Sequence, residues 1–340
     1  MERCLQLARL AANVAPNPMV GAVLVYNEKI IGEGYHKKYG EPHAEVNCIN
    51  SVENENKNLI DKSTLYVSLE PCSHFGKTPP CTDLIIKNKI PKVVIGCKDV
   101  YKEVDGKGII KLQNAGVEVT TGILEKECIQ LNRRFFIFHQ QQRPYIILKW
   151  AESADRKIGT EKERVFISNE FSNRLIHKWR SEEAAILVGK QTALKDDPSL
   201  TTRLWPGENP VRCVIDNNLS LPLWLKIFDH STPAIIFNFL KNEEEKNIKW
   251  IKLADGDLST LLRLMYDSGI QSLIVEGGAI LLQSFIDAGL WDEARVIRNE
   301  ELIISNGIHS PEFKNATLLH QEKYFNDTIS YFQPFNHRVI

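Results

Sequence analysis

The chain is organised around His43-Ala44-Glu45 and Glu70-Pro71-Cys72-Ser73-His74-Phe75-Gly76-Lys77-Thr78-Pro79-Pro80-Cys81. One imidazole and two thiols, in the order His43, Cys72, Cys81, form a three-ligand set suited to zinc. Three protein ligands leave the fourth tetrahedral position open for water, as a catalytic site requires. Such a water loses its proton near neutral pH when a neighbouring base can take and return it. Glu45 is the candidate base. A structural zinc site would need a fourth ligand, and His74 is the residue available; otherwise His74 shapes the loop or faces substrate. An i,i+2 spacing does not by itself put His43 and Glu45 on one face of a helix. That both point inward follows from the chemistry alone.

Working outward, Thr64 to Leu69 reads as a strand, so Pro71-Cys72 falls just past its carboxyl edge, where open α/β sheets bind ligands. Ala44 to Ser51 reads as a helix with His43 and Glu45 in or beside its first turn. Thr82 to Asn88 reads as another, whose N-terminal dipole favours a thiolate at Cys81. Upstream, Glu2 to Ala12 lines up Leu5, Ala8 and Ala12 as a short amphipathic helix, and the prolines of Asn13 to Pro18 break it. Val20 to Val25 is a buried strand, Asn27-Glu28-Lys29 a turn, and Ile30 to Gly34 the returning strand of a hairpin. Downstream come a strand at Lys92 to Gly96, a helix at Gly108 to Ala115 and a strand at Val117 to Val119. This alternation predicts a three-layer α/β/α domain over residues 1–140.

His139 to Pro144, with three consecutive glutamines and a proline, reads as a linker. Beyond it the pattern restarts, with strands at 145–150, 185–189, 211–216, 233–238 and 271–275 and a helix at 168–181. The last of these strands runs into Glu276-Gly277-Gly278, and glycines before a helix suit close approach to a pyrophosphate. A second α/β domain over residues 145–340 is expected, ending in a polar tail without clear periodicity.

The bulk properties bound the function. The 340 residues are 43% apolar and 25% charged, as in a folded protein of two domains. A formal charge of −1 argues against a polyanion-binding surface and hence against a nucleic-acid partner. No apolar run approaches the roughly 20 residues that span a bilayer, and Met1 to Leu5 does not open like a signal peptide. Seven cysteines do not suggest a disulfide framework, and Cys4, Cys48, Cys97, Cys128 and Cys213 read as small core residues. The expectation is a reduced, cytoplasmic enzyme.

A His-x-Glu followed by Pro-Cys…Cys is the signature of zinc nucleobase deaminases, in which the Glu stays off the metal. Asn17-Pro18-Met19-Val20-Gly21, the His43 and Glu70–Cys81 stretches, and the eight residues between Cys72 and Cys81 resemble the bifunctional riboflavin-biosynthesis deaminase–reductase family in particular. Cytidine and tRNA adenosine deaminases mostly have Cys-x-x-Cys. The second half resembles the same family through Ala185-Ile186-Leu187-Val188-Gly189, Asp196 to Arg203 and Val275-Glu276-Gly277-Gly278. The resemblance implies a cytidine-deaminase-like domain followed by a dihydrofolate-reductase-like domain that uses NADPH, in a dimer or tetramer. It implies removal of the 2-amino group of 2,5-diamino-6-(5-phosphoribosylamino)pyrimidin-4-one and then reduction of the ribosyl chain to ribityl. His43, Cys72 and Cys81 would hold zinc and Glu45 would shuttle the proton. Asn17, His36, Lys77 and Asp99 match positions that contact the deaminase substrate, with Lys77 at its phosphate. Arg180, Leu200, Arg203 and Glu276 match substrate positions of the reductase. Phe166, Thr192, Asp196, Asn217 and the run Gly278, Ala279, Ile280, Leu281, Leu282, Gln283, Ser284 match cofactor positions.

The chain departs from the family pattern at Arg156, where an Asp-Gly turn is common, at Arg164, where a serine is common, and at Phe166 and Tyr101, which replace a tryptophan and an asparagine. These departures leave open a second half that binds or assembles without reducing. An RNA-editing deaminase is the third reading; the near-zero charge and the cysteine spacing count against it.

Overall fold

The first unit grows from a two-residue hairpin. Strands β1 (Gly21–Tyr26) and β2 (Lys29–Tyr35) pair antiparallel around Asn27 and Glu28, whose φ values of 45° and 64° give the left-handed backbone that such a turn needs. The computed structural model describes residues 1–11, 14–75, 79–161 and 164–335, and the chain divides into two compact units between Gln141 and Gln142. In chain order the other elements of the first unit are α1 (Glu2–Ala8), α2 (Ala44–Asn50), β3 (Thr64–Leu69), α3 (Cys81–Lys87), β4 (Lys92–Cys97), α4 (Lys107–Asn114), β5 (Glu118–Thr121), α5 (Glu125–Leu131) and α6 (Arg133–Gln141). The sheet order is β2-β1-β3-β4-β5, with β1 antiparallel to its neighbours and β3, β4 and β5 parallel.

Alternation along the central strands feeds two cores. Ala22, Leu24, Leu65, Val67, Val93 and Ile95 pack with Ala44 and Cys48 of α2, Ile85 of α3 and Leu112 of α4. On the other face Val23 packs with Cys4 and Leu7 of α1, and at the strand ends Leu69 and Cys97 pack with Leu5 of α1, Cys128 of α5 and Phe135 and Phe136 of α6. This is the expected three-layer α/β/α arrangement, and each fully buried aliphatic side chain contributes about 1.5–3 kcal/mol. Glycine sets the position of α2: a Cβ at Gly34 would lie 2.2 Å from the amide nitrogen of Cys48, so helix and hairpin meet backbone to backbone.

Two boundaries differ by more than two residues from the sequence expectation. The first helix stops at Ala8, because Leu10 turns to solvent with 62% of its surface exposed; Ala12 and Asn13 lie outside the described residues. The expected linker is in its first half helical. Helix α6 runs through His139 to Gln141, since Phe135, Phe136 and Phe138 anchor it and glutamine is a good helix former. Only Gln142-Arg143-Pro144 connect it to the next strand.

The second unit holds β6 (Tyr145–Glu152), β7 (Lys157–Gly159), α7 (Glu170–Glu182), β8 (Ala185–Gly189), α8 (Lys190–Asp196), β9 (Val211–Ile215), β10 (Ala234–Asn238), β11 (Glu243–Glu245), β12 (Ile248–Lys252), α9 (Leu258–Asp267), β13 (Ser272–Gly277), α10 (Ala279–Asp287), β14 (Glu293–Asn299), β15 (Ile308–His309), β16 (Ala316–Tyr324) and β17 (Asp327–Pro334). Ten strands form one sheet in the order β11-β12-β10-β9-β8-β13-β6-β14-β17-β16. The seven from β12 to β14 are mutually parallel and the outer ones antiparallel. Ile146, Leu148, Leu187, Cys213, Phe237, Leu273 and Val275 make its core with α9 and α10. The polar tail is the β16–β17 hairpin: β16 forms the sheet edge and exposes Leu318 through Gln321, so it carries no buried-face alternation to read. Helix α7 starts at Glu170, capped by the Asn169 side chain, which accepts from the Ser172 amide at 3.0 Å.

Candidate active site

Three chain segments converge at the carboxyl end of β3. His43 is the extended N-cap of α2, Cys81 the first residue of α3, and Cys72 lies in the loop between β3 and α3. His43 Nδ1 stands 3.6 Å from Cys72 Sγ and 3.4 Å from Cys81 Sγ, and the three donor atoms lie within 4.8 Å of one another. The Cys81 amide donates to Cys72 Sγ at 3.3 Å. That donor, the Cys81 thiol and His43 hold the Cys72 thiol down at about 4, the Cys81 hydrogen bond having the largest effect. The Cys81 thiol is pushed up in turn by its bond to Cys72 and by burial. An imidazole and two sulfurs converging within 4.8 Å are donor types that fit zinc. No fourth donor joins them among the described residues, which leaves the open position of a catalytic site.

Glu45 sits one residue inside α2 and is 3% exposed. Burial, then the nearby Cys72 charge, raises its carboxyl above the usual range. Helix geometry turns Glu45 toward the same cavity as His43, of about 400 Å³, whose lining also includes Asn17, His36, Cys72 and Asp99. The inward orientation taken from chemistry alone is thus the one observed.

His36 is neutral and fixed. Its Nδ1 donates to the Pro42 carbonyl at 3.2 Å, burial lowers its pKa, and Nε2 accepts from Asn17 Nδ2 at 3.1 Å. Asn17 is thereby turned with its carbonyl oxygen free as an acceptor. Asp99 is 7% exposed and raised to about 7 by burial, against the pull of backbone donors that include the Tyr101 amide at 2.7 Å. Lys77, with Gly76 and Thr78, lies outside the described residues.

The sequence reading missed one wall of this cavity. His139 and Phe135 of α6 and Tyr101 line it, the rings meeting at 4.4 Å for Phe135–His139 and 5.2 Å for Tyr101–His139. The signal was the Phe135-Phe136-x-Phe138 run, whose helical spacing carries on into His139.

In the second unit the expected residues come from neighbouring strand ends. Thr192 follows β8, Asn217 follows β9, and Gly278 follows β13, all at the carboxyl edge of the parallel sheet. Between Val275 and Gly277 the pairing of β13 with β8 shifts by one residue, so Glu276 is the extra residue of a bulge. It receives Arg180 of α7 through two bonds of 2.7 Å and approaches Lys149 of β6 at 3.5 Å. Burial raises the Glu276 carboxyl, but Arg180 and Lys149 outweigh it and hold it down at about 2. Arg180, expected at a substrate position, is thus committed to Glu276, with its third nitrogen on the Thr201 carbonyl at 3.3 Å. Lys149 was missed because a lysine within an apolar strand gives no signal until its partner is in place.

The remaining positions sort by exposure. Leu200 is buried with φ of 54°, and Arg203 bonds Thr201 Oγ1 at 2.9 Å while its amide donates to His177 at 3.0 Å. Phe166 is 75% exposed beneath the Arg164 guanidinium, 4.8 Å from its ring centre. Asp196 ends α8. Of the run after β13, Leu282 has its side chain in the core, and its amide bonds the Gly278 carbonyl at 3.1 Å. Gln283 is tied to Asp287 and to the backbone of Glu312, and Ser284 to the Ile280 carbonyl. The first-turn amides of Ala279, Ile280 and Leu281 behind Gly278 (φ 78°) form an anion cradle that fits a dinucleotide phosphate. A Cβ at Gly277 would meet Thr192 at 2.8 Å, so the backbone there stays bare.

Comparison with known proteins agrees with both units. Residues 1–97 match the cytidine and deoxycytidylate deaminase zinc-binding region, and residues 144–299 match the RibD C-terminal domain. The riboflavin biosynthesis protein RibD of Aquifex aeolicus is 42% identical over 311 residues, 87% of this chain and 86% of that one. That of Escherichia coli is 33% identical over 327 residues, 90% and 88% of the two chains. A crystal structure from Thermotoga maritima, described as a diaminohydroxyphosphoribosylaminopyrimidine deaminase/5-amino-6-(5-phosphoribosylamino)uracil reductase, superposes with a TM-score of 0.89 at 34% identity, covering 98% of this chain and 97% of that one. The first unit therefore has the cytidine-deaminase-like fold and the second the dihydrofolate-reductase-like fold of the matched domain. With relatives this similar over nearly its whole length, the chain belongs to the RibD family of riboflavin biosynthesis proteins.

Proposed function

We propose that this chain deaminates 2,5-diamino-6-(5-phosphoribosylamino)pyrimidin-4-one and then reduces the ribosyl chain of the product to ribityl. Residues 1–140 carry the first reaction and residues 145–340 the second. The observation that supports the reading most is the convergence of His43, Cys72 and Cys81 beside Glu45 in one cavity.

His43, Cys72 and Cys81 would hold zinc, which would lower the pKa of a water so that hydroxide is available near neutral pH. Glu45, buried and so a stronger proton acceptor than an ordinary carboxylate, takes the water's proton. It returns the proton to the exocyclic nitrogen, so ammonia leaves in place of an amide anion. Asn17, oriented by His36, accepts from the ring or its amino groups, and Asp99 accepts from a donor on the opposite wall. Lys77 is assigned to the phosphate.

NADPH, when bound, supplies the hydride of the second reaction. Gly278 to Leu281 would hold its phosphates, and Phe166, Thr192, Asp196 and Asn217 are the other residues assigned to it. The acceptor would be C1′ of the opened ribose as its Schiff base, whose nitrogen takes a proton as the C1′=N bond is reduced. Lys149, whose charge burial disfavours, is assigned to the proton that the 4′ oxygen takes as the ribose ring opens to a C1′=N Schiff base, and Glu276 keeps it in place. Burial, then the charges of Arg180 and Arg164, acts against the charge on Arg203. Guanidinium groups gathered in this way suit a phosphate dianion. Among the described residues no helix is long and apolar enough to cross a membrane, and we assign the enzyme to the cytoplasm as a dimer or tetramer.

The deciding experiment is a coupled assay on zinc-replete protein with the diaminopyrimidinone ribosyl phosphate, following ammonia release and NADPH oxidation. Ammonia with stoichiometric NADPH oxidation supports both assignments. Ammonia alone reduces the second unit to a binding module, and neither signal rejects the substrate.

A further inference from the structure

We propose that Glu70 is a positioning residue that holds Asp99 against the substrate cavity by gathering four backbone amides onto one carboxylate. The inference rests on the deaminase reading only in taking Asp99 as a substrate contact.

Glu70 directly follows β3 and is 3% exposed. Its Oε2 accepts from the amides of Asp99 (3.2 Å) and Gly106 (3.0 Å), and its Oε1 from those of Gly108 (2.9 Å) and Ile109 (3.3 Å). Gly106 is the N-cap of α4 and offers no side-chain cap of its own. Glu70 therefore caps that helix from across the sheet, where the positive end of the dipole favours a carboxylate. The loop from Asp99 to Gly106 is fastened to the same carboxylate at both ends. A second contact sets the spacing: a Cβ on Gly108 would lie 2.2 Å from the Pro71 carbonyl oxygen and 3.1 Å from Glu70 Oε1.

The neighbouring metal ligand has its own supports. The Cys72 carbonyl accepts from the amide and hydroxyl of Thr82, each at 3.2 Å, and its sulfur accepts from the Cys81 amide. Glu70 thus acts on the Asp99 side of the cavity and not on the thiol side. Glutamine is no substitute although it has the same shape, because its NH2 group would face two amide donors where the carboxylate presents an acceptor.

The test uses the zinc-loaded full chain with Glu70→Gln, Asp99→Asn and the double variant. Glu70→Gln is expected to raise the deaminase KM about tenfold, with kcat changed less than about threefold and zinc retained against a chelator. Amide exchange in residues 99–109 should quicken while that of α3 does not. In the Asp99→Asn background the same substitution should change KM by less than about twofold, because its effect runs through Asp99. Gly108→Ala, which presses on the clamp from the other side, should reproduce the KM-dominated loss. An equal KM penalty in both backgrounds, unchanged exchange at 99–109, or zinc loss with normal KM would each overturn the proposal. A wild-type chain that releases no ammonia from this substrate would reject the functional reading, while the exchange measurement would still decide whether Glu70 is the clamp.

Discussion

The two sites of this chain are built on opposite plans. In the first unit the reactive groups come from two short stretches, 43–45 and 70–81, each anchored at a strand end or helix start. In the second unit Lys149, Arg180 and Glu276 come from three elements far apart in sequence and meet as one buried ionic cluster. A contiguous motif keeps its chemistry while tolerating change elsewhere. A dispersed cluster ties chemistry to the stability of the whole sheet. Substitutions at the first site should therefore damage activity and spare folding, and substitutions at the second should damage both.

The largest expected effect tests the first half of that contrast. Glu45→Gln should slow ammonia release about 10²- to 10⁴-fold, leaving zinc content, NADPH binding and the melting profile as in the parent. A shifted melting profile would show that the first site is structural as well. Glu276→Gln tests the second half: it leaves Arg180 and Lys149 without their counter-charge and should destabilise the second unit by about 3–5 kcal/mol. Calorimetry should show one transition falling and the other unmoved, with reduction lost and deamination kept.

The same cluster has a pH signature. The Glu276 carboxyl lies at about 2 in the fold against an ordinary 4.5. The unfolded chain binds its proton first, so this contribution is complete above pH 4.5 and disappears as pH falls through that value toward 2. Its full size is on the order of 3 kcal/mol. The stability gap between the parent and Glu276→Gln should narrow over that window, and a constant gap would mean that the pair stabilises by shape alone. The smallest effect concerns a turn. Arg156 occupies φ of 60°, where a side chain is strained; Arg156→Gly should stabilise the second unit by about 1 kcal/mol without changing deamination.

How much of this was legible follows from the same contrast. The His43, Cys72 and Cys81 set could be read directly, because ligand spacing in sequence mirrors its spacing around a strand end. The strands 64–69 and 185–189 were legible to the residue, being apolar runs bounded by breakers. His139 was not, because three following glutamines mimic a linker while behaving as helix formers. Nor was the Arg180–Glu276–Lys149 cluster, since opposite charges 96 and 127 positions apart reveal nothing until the sheet brings them together. The final hairpin was missed because β16, at the edge of the sheet, keeps one face for water and lacks an inward set.

The bulge in β13 gives the second site an unusual ancestry. Regular pairing would take Val275 against Leu187 directly to the next residue against Val188, yet Glu276 stands between them. Loss of that one codon would repair the ladder and erase the acid in a single event. The sheet would be tidier, and Arg180 and Lys149 would lose the carboxylate that joins them. Insertions and deletions, more than substitutions, are thus the changes by which descendants of this chain could give up its second reaction while keeping the protein that housed it.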